Sequence, residues 1–252
     1  MTAADLTCDA FLGGRLSIWQ PRKGYRAGVD PVLLAAAVDA RPGQSVLELG
    51  CGAGVASLCL GARVPGLQLT GVEIQPFYAG LARRNAQQNG LGLAVHEADL
   101  ARLPTELKAR SFDHVIANPP YFLRSRGTEA PDAGRERAMG EATPLSDWLM
   151  AAARRLAPKG WLTLIQDAER LPDLLAAMPG ALGSLSVLPL AAREGRPAHR
   201  ILLKARKGGR AAFRLHPPIL LHEGRAHQRD GEDYTAAISA VLRDGAALPL
   251  PG

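Results

Sequence analysis

The sequence predicts an α/β protein in which helices cover both faces of a seven-stranded, mostly parallel sheet. From residue 45 onward, short aliphatic runs typical of strands alternate with longer helical runs. A glycine-rich turn joins the first of these strands to the first helix. The 252 residues, 47% of them apolar, suffice to fill a core on each side of the sheet. Together these observations are typical of a Rossmann-like fold.

Each predicted strand is a short run rich in Val, Leu or Ile, bounded by residues that are common in turns. Gly43 precedes the first run, for example, and Asn118 follows the fourth. The predicted strands are Ser45–Leu49, Leu67–Glu73, Leu93–Glu97, Asp113–Ala117, Trp161–Ile165, Leu185–Leu190 and His199–Ala205.

Each predicted helix lies between two of these strands. The second begins with Pro76 and has Gly90 just past its end, as is typical of helix boundaries. The stretch Phe122–Thr143 is polar, charged and glycine-rich, which indicates a long functional loop. The predicted helices are Val55–Arg63, Pro76–Asn89, Pro144–Leu156 and Ala168–Met178.

No linker divides the chain, so we expect one domain over residues 1–252. Its parts are an N-terminal segment (1–43), a Rossmann-like core (44–208) and a basic C-terminal extension (209–252). Three cysteines without paired spacing predict a reducing compartment. The amino terminus lacks the pattern of a targeting or membrane segment. We therefore expect a cytoplasmic protein without a membrane partner, either a monomer or a weak homodimer.

Positive charge is concentrated late in the chain. Residues 191–230 contain ten Arg or Lys and three Asp or Glu, a net charge of +7, compared with +6 for the whole chain. Such a region suits the phosphate backbone of a nucleic acid. A solvated, arginine-rich surface is the alternative interpretation. Under the first interpretation, Arg206, Lys207 and Arg210 are expected to bind RNA phosphates.

The glycine-rich turn has G-x-G-x-G spacing, which differs from the dinucleotide fingerprint G-x-G-x-x-G. Glycines at this point permit a tight turn and bring a ligand close to backbone N–H groups. A structural turn without a ligand is the alternative, and Cys51 is expected to be a small residue rather than a reactive thiol. The candidate binding residues here are Glu48, Gly50, Cys51, Gly52 and Gly54.

An acidic residue follows each of the next two strands. Glu73 lies 23 positions after Gly50, close to the offset at which an acid binds ribose hydroxyls in nucleotide-binding folds. Asp99 comes just after the third strand, where its carboxylate suits the amino group of an adenine. For both residues, a solvated acid or a helix cap is the alternative.

The tetrapeptide Asn118-Pro-Pro-Tyr121 directly follows the fourth strand. Its prolines restrict the backbone and hold an amide and an aromatic ring at the strand's carboxyl end, where open α/β sheets bind ligands. The side-chain oxygen of Asn118 and the carbonyl of Pro119 suit the two hydrogens of a planar amino group. Tyr121 is expected to stack on the ring that carries this group.

These motifs resemble class I S-adenosylmethionine-dependent methyltransferases of the N-P-P-Y type, which methylate amino groups. The resemblance implies S-adenosylmethionine as cofactor, S-adenosylhomocysteine as product and no metal. It assigns the glycine turn to the methionine end of the cofactor, Glu73 to the ribose and Asp99 to the adenine, with Ile74 and Leu100 beside them. The residues that it implicates in catalysis are Asn118, Pro119, Pro120 and Tyr121, of which Asn118 also belongs to the cofactor site.

Four further segments, Asp9–Leu16, Gln20–Leu34, Pro197–Leu203 and Tyr234–Ile238, carry a narrower resemblance. They are similar to bacterial tRNA (adenine-N6)-methyltransferases that modify the adenine beside the anticodon of a valine tRNA. In such enzymes the segment before the first strand covers the methionine end of the cofactor. The resemblance therefore implies that Tyr25, Arg26 and Asp30 lie near the site, and that the partner is RNA, with tRNA favoured.

Other functions stay open as alternatives: methylation of guanine N2 in rRNA, methylation of a protein glutamine amide, and RNA binding without catalysis. The glutamine enzymes carry a helical domain before the glycine turn, whereas about 44 residues precede the first strand here. A binding protein could dispense with Glu73 and Asn118, and both are present. A cytosine-C5 enzyme needs a cysteine after the fourth strand, which this chain lacks. The six histidines lack metal-ligand spacing.

Overall fold

A computed structural model describes residues 5–120, 143–225 and 233–248. Its strands are β1 (Leu6–Phe11), β2 (Leu16–Pro21), β3 (Ser45–Leu49), β4 (Gln68–Glu73), β5 (Leu93–Glu97), β6 (Phe112–Ala117), β7 (Leu156–Asp167), β8 (Leu182–Ala191), β9 (Ala198–Lys207), β10 (Arg214–Leu215) and β11 (Ile219–Leu220). Its α-helices are α1 (Asp30–Ala36), α2 (Val55–Arg63), α3 (Pro76–Gln88), α4 (Thr105–Lys108), α5 (Leu145–Arg155), α6 (Leu171–Ala176) and α7 (Ala236–Ser239).

The central sheet confirms the predicted fold class. Its main strands lie in the order β5-β4-β3-β6-β7-β9-β8, and β9 alone among them runs antiparallel to its neighbours. All seven predicted strands are present in this sheet. The short strands β10 and β11, which we did not predict, extend it to nine strands by pairing with β8.

Two apolar cores cover the two faces of the sheet. Along β3, Val46 packs into one core and Leu47 into the other, as the two-residue period of a strand requires. The first core contains α1, α2 and α3, and the second contains α4, α5 and α6. Helices therefore cover both faces, as predicted. Because each face is buried, polar side chains meet at the ends of the strands, and the site residues predicted after β3, β4 and β6 lie at the carboxyl ends.

An N-terminal hairpin was not predicted. Strands β1 and β2 pair antiparallel, and two asparagines, one on α3 and one directly after it, bind the outer edge of β2. Asn85 accepts the Trp19 N–H at 2.8 Å and donates to its carbonyl at 3.1 Å. Asn89 makes the same pair of bonds to Ser17, each at 2.9 Å. These side chains replace a third strand and fix the N-terminal segment to the core.

The described part of the C-terminal segment 209–252 belongs to the folded core. Besides the two short strands, it contributes α7, and Ile238, Val241 and Leu248 are buried in the first core. The Leu248 N–H donates to the Ala36 carbonyl at 2.9 Å. The longest described helix, α3, has 13 residues, and none in the described ranges has the length and apolar character of a membrane span.

Candidate active site

Three predicted site elements lie side by side at the carboxyl edge of the sheet. Strand β3 lies between β4 and β6, with Leu49 opposite both Val72 and Ala117. The glycine turn after β3, Glu73 at the end of β4 and Asn118 after β6 therefore emerge from adjacent strands. This is the edge at which open α/β sheets bind ligands.

The glycine turn has a backbone that other residues rarely adopt. Gly50, Gly52 and Gly54 have φ values of +63°, +53° and +84°. A Cβ on Gly50 would lie 2.5 Å from the ring of Trp148, which packs beneath the turn. A Cβ on Gly52 would meet only the ring of Tyr25, at 3.9 Å. The turn is thus closed by Trp148 on one side and approachable at Gly52.

Glu73 ties the turn to β4. One carboxylate oxygen accepts the Gly52 N–H at 2.9 Å, and the other accepts the Gln75 N–H at 2.8 Å. The side chain is buried, which raises the pKa of Glu73. The hydrogen bonds from backbone N–H groups oppose this shift because they favour the charged carboxylate. Each carboxylate oxygen has a second lone pair for a further hydrogen-bond donor. Glu73 can therefore hold the turn and accept from a ligand at once.

Glu48 has a structural contact that the sequence did not reveal. Its Oε2 accepts the backbone N–H of Ser57 at 2.9 Å, and it also accepts the Ser57 hydroxyl. Ser57 lies in the first turn of α2, so Glu48 caps the amino end of this helix. Burial raises the pKa of Glu48 to about 8. At neutral pH this residue is therefore largely protonated. It binds the first turn of α2, the helix that directly follows the glycine turn.

This burial makes folding stability depend on pH. The Glu48 carboxyl has an ordinary pKa of 4.5 and a folded pKa of about 8, so between these values the folded state keeps a proton that the unfolded chain has lost. The contribution of Glu48 to stability then falls as pH rises through this window, by at most about 1.4 kcal/mol per pH unit. We expect Glu48→Gln to stabilise the protein more at pH 7.5 than at pH 5.5, as measured by urea unfolding. An equal effect at both pH values would contradict this assignment.

Cys51 is a packing residue of the turn. Its backbone N–H donates to the Val72 carbonyl at 2.9 Å, and a Cβ on Gly71 would lie 2.7 Å from its sulfur. Burial raises the pKa of the Cys51 thiol, which keeps it in the unreactive protonated form.

The predicted residues of the N-terminal segment have different positions. Tyr25 lies over the turn, where its backbone N–H and carbonyl are both hydrogen-bonded at 3.1 Å by the Tyr78 hydroxyl. Burial and nearby acids raise the pKa of Tyr25, so its hydroxyl stays neutral. The Arg26 guanidinium instead binds the hairpin, including Asp9 at 2.7 Å. Asp30 pairs with Arg200 of β9 at 3.0 Å. Of the three, Tyr25 is the one in contact with the turn.

The predicted site residues after β4 and β5 also differ in exposure and in contacts. Ile74 is 58% exposed beside Glu73, so its apolar side chain is accessible at this edge. Asp99 caps the short 3₁₀ turn that follows it, with its Oδ1 accepting the Ala101 N–H at 2.8 Å. Leu100 is buried in the second core, so its side chain packs rather than faces the edge. The helix-cap alternative for Asp99 is therefore present in the structure.

The N-P-P part of the tetrapeptide leaves β6 at the centre of the edge. Asn118 and Pro120 are half-buried and Pro119 is buried. Gln166 of β7 donates through its side-chain nitrogen to the carbonyls of Pro119, at 3.3 Å, and Pro120, at 3.4 Å. Tyr121 and nearly all of the predicted loop Phe122–Thr143 lie outside the described residues.

The basic segment of residues 191–230 is divided between two edges of the sheet: the carboxyl edge, where the parallel strands end, and the amino edge, where they begin. Arg200 lies opposite Asp167 at the carboxyl edge, whereas Arg206 lies opposite Trp161, roughly 20 Å away along β9. Arg206 stacks on Trp161, and Lys207 donates to a backbone carbonyl at 2.6 Å. Both side chains are therefore engaged at the amino edge. The expectation that they and Arg210 present RNA to the site conflicts with this position.

Two exposed arginines lie instead at the carboxyl edge. Arg196 belongs to the connection between β8 and β9, which joins the strands at this edge. Arg225 forms an ion pair with Glu194 of the same connection at 3.2 Å. Net charge along the sequence could not reveal this division. The basic residues Arg200 and Arg206 are close in sequence but lie at opposite ends of the same strand, β9.

Four residues around the site escaped the sequence analysis: Tyr78, Asn85, Trp148 and Gln166. Asn85 donates to the Ala53 carbonyl of the turn at 2.9 Å, in addition to its bonds to β2. A polar residue on the inward face of an amphipathic helix was the available signal for Asn85. Trp148 lay within the predicted helix Pro144–Leu156, and Gln166 lay just past the predicted strand Trp161–Ile165, so neither was marked as a site residue. Within the described ranges, no group of three or more His, Cys, Asp or Glu side chains could hold a metal ion.

Comparison with known proteins agrees with this geometry. Residues 27–187, from before α1 into β8, match the methyltransferase small domain family. The chain belongs to this family. The Rossmann-like methyltransferase fold predicted from the sequence is thereby confirmed, and the protein is an S-adenosylmethionine-dependent methyltransferase.

Several curated relatives of this methyltransferase are named tRNA1(Val) (adenine(37)-N6)-methyltransferase. One from Porphyromonas gingivalis is 34% identical over 175 residues, which cover 66% of this chain and 68% of the relative. Another from Dickeya chrysanthemi is 28% identical over 244 residues, covering 95% and 94%. Among solved structures, a predicted O-methyltransferase from Agrobacterium tumefaciens superposes with a TM-score of 0.70 at 28% identity, over 86% of this chain and 97% of that one. The 16S rRNA N2 G1207 methyltransferase of Thermus thermophilus, with AdoMet and guanosine bound, shares the fold at 20% identity (TM-score 0.57; 80% and 50% covered).

Proposed function

We propose that this methyltransferase transfers the methyl group of S-adenosylmethionine to the exocyclic N6 of an adenine in tRNA, next to the anticodon. The observation that carries this proposal is the position of Asn118 and Pro119, one strand away from the glycine turn. Two oxygen acceptors at this point match a planar amino group. The names of the relatives from Porphyromonas gingivalis and Dickeya chrysanthemi support adenine in tRNA as the target.

The residues around the glycine turn fit the proposed cofactor. The approachable backbone at Gly52 suits the methionine end, and Glu73 offers two carboxylate oxygens to ribose hydroxyls. The exposed Ile74 offers an apolar surface to the adenine. Tyr25 lies over the turn and closes the site from the N-terminal side. When bound, S-adenosylmethionine supplies an activated methyl group, so the protein needs to position and stabilise rather than supply a strong base.

In this mechanism Asn118 and Pro119 act on the target amine. An adenine amine is a weak nucleophile because its lone pair is delocalised into the ring. The Asn118 side-chain oxygen and the Pro119 carbonyl would accept its two N–H groups, align the nitrogen for attack and stabilise the positive charge that develops on it. The proton then leaves to water. Tyr121 is assigned to stacking on the flipped base, an interaction worth roughly 1–3 kcal/mol.

The carboxyl-edge arginines are the ones we expect to bind RNA. We predict that the double variant Arg196→Ala, Arg225→Ala lowers the salt dependence of tRNA affinity, reducing the slope of log K against log salt by roughly 2. The matched control is Arg210→Ala with Arg214→Ala, which removes the same charge from exposed positions toward the other edge. Filter binding from 50 to 200 mM salt measures both. If the control alone lowers the slope, the RNA surface lies elsewhere.

The biological substrate is tested by nucleoside analysis of tRNA from a strain that lacks the gene. We expect loss of N6-methyladenosine from one tRNA and its return when the wild-type gene is restored. Restoration with Asn118→Ala should fail. Unchanged N6-methyladenosine in every tRNA of the deletion strain would contradict the proposed substrate.

A further inference from the structure

Gln166 lies beside the segment Asn118–Pro120, which follows β6. Strand β7 runs parallel to β6 with Leu164 opposite Ala117, so Gln166 is level with this segment. Its side chain is 0% exposed. A buried amide is costly unless its polar atoms are paired. The partners of Gln166 therefore indicate why an amide occupies this buried position.

The orientation of the Gln166 amide is fixed at both ends. Its oxygen accepts the backbone N–H of Asp167 at 2.8 Å, which leaves its nitrogen facing the carbonyls of Pro119 and Pro120. A flipped amide would set N–H groups against the Asp167 N–H and an oxygen against two carbonyl oxygens. The end of β7 is itself held, because Asp167 pairs with Arg200, which also binds Asp30.

The Pro119 carbonyl needs such a partner. The ring of Pro119 fixes φ, and the following Pro120 confines ψ of Pro119 to the extended region, about +120 to +160°. Within that range of about 40° the two rings do not set the direction in which the Pro119 carbonyl points. A carbonyl oxygen has two lone pairs. One bond from Gln166 leaves the second lone pair for another donor and holds the peptide plane that presents it.

We propose that Gln166 is a positioning residue that directs the Pro119 carbonyl toward the amine to be methylated. This inference rests on the proposed function, in which that carbonyl accepts one N–H of the target adenine. Gln166 itself does not touch the substrate. It acts on the segment Asn118–Pro120 from the neighbouring strand. Its loss should therefore impair methyl transfer while the cofactor site around Glu73 stays intact.

The test compares Gln166→Leu and Gln166→Glu with wild type in steady-state tRNA methylation and in calorimetric binding of S-adenosylmethionine. We expect kcat to fall by about 10- to 100-fold in both variants at pH 8. Cofactor affinity should stay within about twofold of wild type. Lowering the pH should restore kcat relative to wild type in Gln166→Glu alone, because its protonated carboxyl can donate to the same carbonyl. A purely structural role would not produce this difference.

Thr163→Val provides the control for removing a buried polar group from β7. The Thr163 hydroxyl is buried without a hydrogen-bond partner among the described residues, and valine has nearly the same shape. We expect wild-type kcat from this variant. Wild-type kcat in Gln166→Leu, a parallel loss of cofactor affinity, or the same pH response in both Gln166 variants would overturn the positioning role alone. A wild-type enzyme that forms no N6-methyladenosine would instead overturn the proposed function.

Discussion

Replacing Asn118 with alanine should lower kcat by about 100- to 1,000-fold, the usual cost of removing one preorganised group that stabilises transition-state charge. The amide oxygen is assigned to the target amine, which becomes positively charged only as the methyl group is transferred. Binding of S-adenosylmethionine should therefore change far less than turnover. Single-turnover methylation of tRNA and calorimetry of cofactor binding measure the two effects separately.

His114→Ala is the matched control, because it removes a polar side chain from the amino-terminal half of the same strand. His114 is buried and lies 3.2 Å from the Gln44 side-chain oxygen at the amino edge. We expect this variant to lose stability yet keep turnover near that of wild type. Asn118→Ala with near-wild-type turnover would remove Asn118 from the mechanism.

Replacing Glu73 with alanine should weaken S-adenosylmethionine binding by about 100-fold. Two hydrogen bonds from ribose hydroxyls to a charged acceptor contribute at least about 1.5 kcal/mol each, and about 1.4 kcal/mol corresponds to a tenfold change in affinity. The variant also frees the N–H groups of Gly52 and Gln75, which loosens the turn in the same direction. Calorimetric titration of the purified protein measures the loss.

Asp113→Ala is the matched control for Glu73→Ala, because it should lower stability without affecting the cofactor site. At the amino edge, the Asp113 carboxylate accepts the N–H and the hydroxyl of Ser45, each at 2.8 Å. Its removal costs two hydrogen bonds of a similar kind, far from the glycine turn. We expect lower stability with unchanged cofactor affinity. If Glu73→Ala binds S-adenosylmethionine as tightly as wild type, the ribose assignment of Glu73 is wrong.

Much of the sheet could be predicted because its strands are short apolar runs between turn residues. Helix α2 has the predicted bounds, and α3 ends one residue earlier than predicted. The adjacency of the glycine turn, Glu73 and Asn118 follows from the order of parallel strands. These features depend on local periodicity and on topology, both of which are visible in a sequence.

The remaining features depend on contacts between distant parts of the chain. The hairpin β1–β2 is stabilised by Asn85 and Asn89 more than 60 residues away, so its strands carry little signal of their own. Glu48 follows the pattern of a ligand-binding acid, but burial against Ser57 gives it a capping contact. Such pairings are tertiary and override local patterns.

The most direct test of this account is the identity of the methylated nucleoside. Purified protein is incubated with unmodified tRNA and methyl-labelled S-adenosylmethionine, and the tRNA is then digested and its nucleosides separated. We predict label in N6-methyladenosine, mapped to the adenine next to the anticodon, and a strong reduction of that label with Asn118→Ala. Label in N2-methylguanosine, or label in protein with none in RNA, would contradict the account.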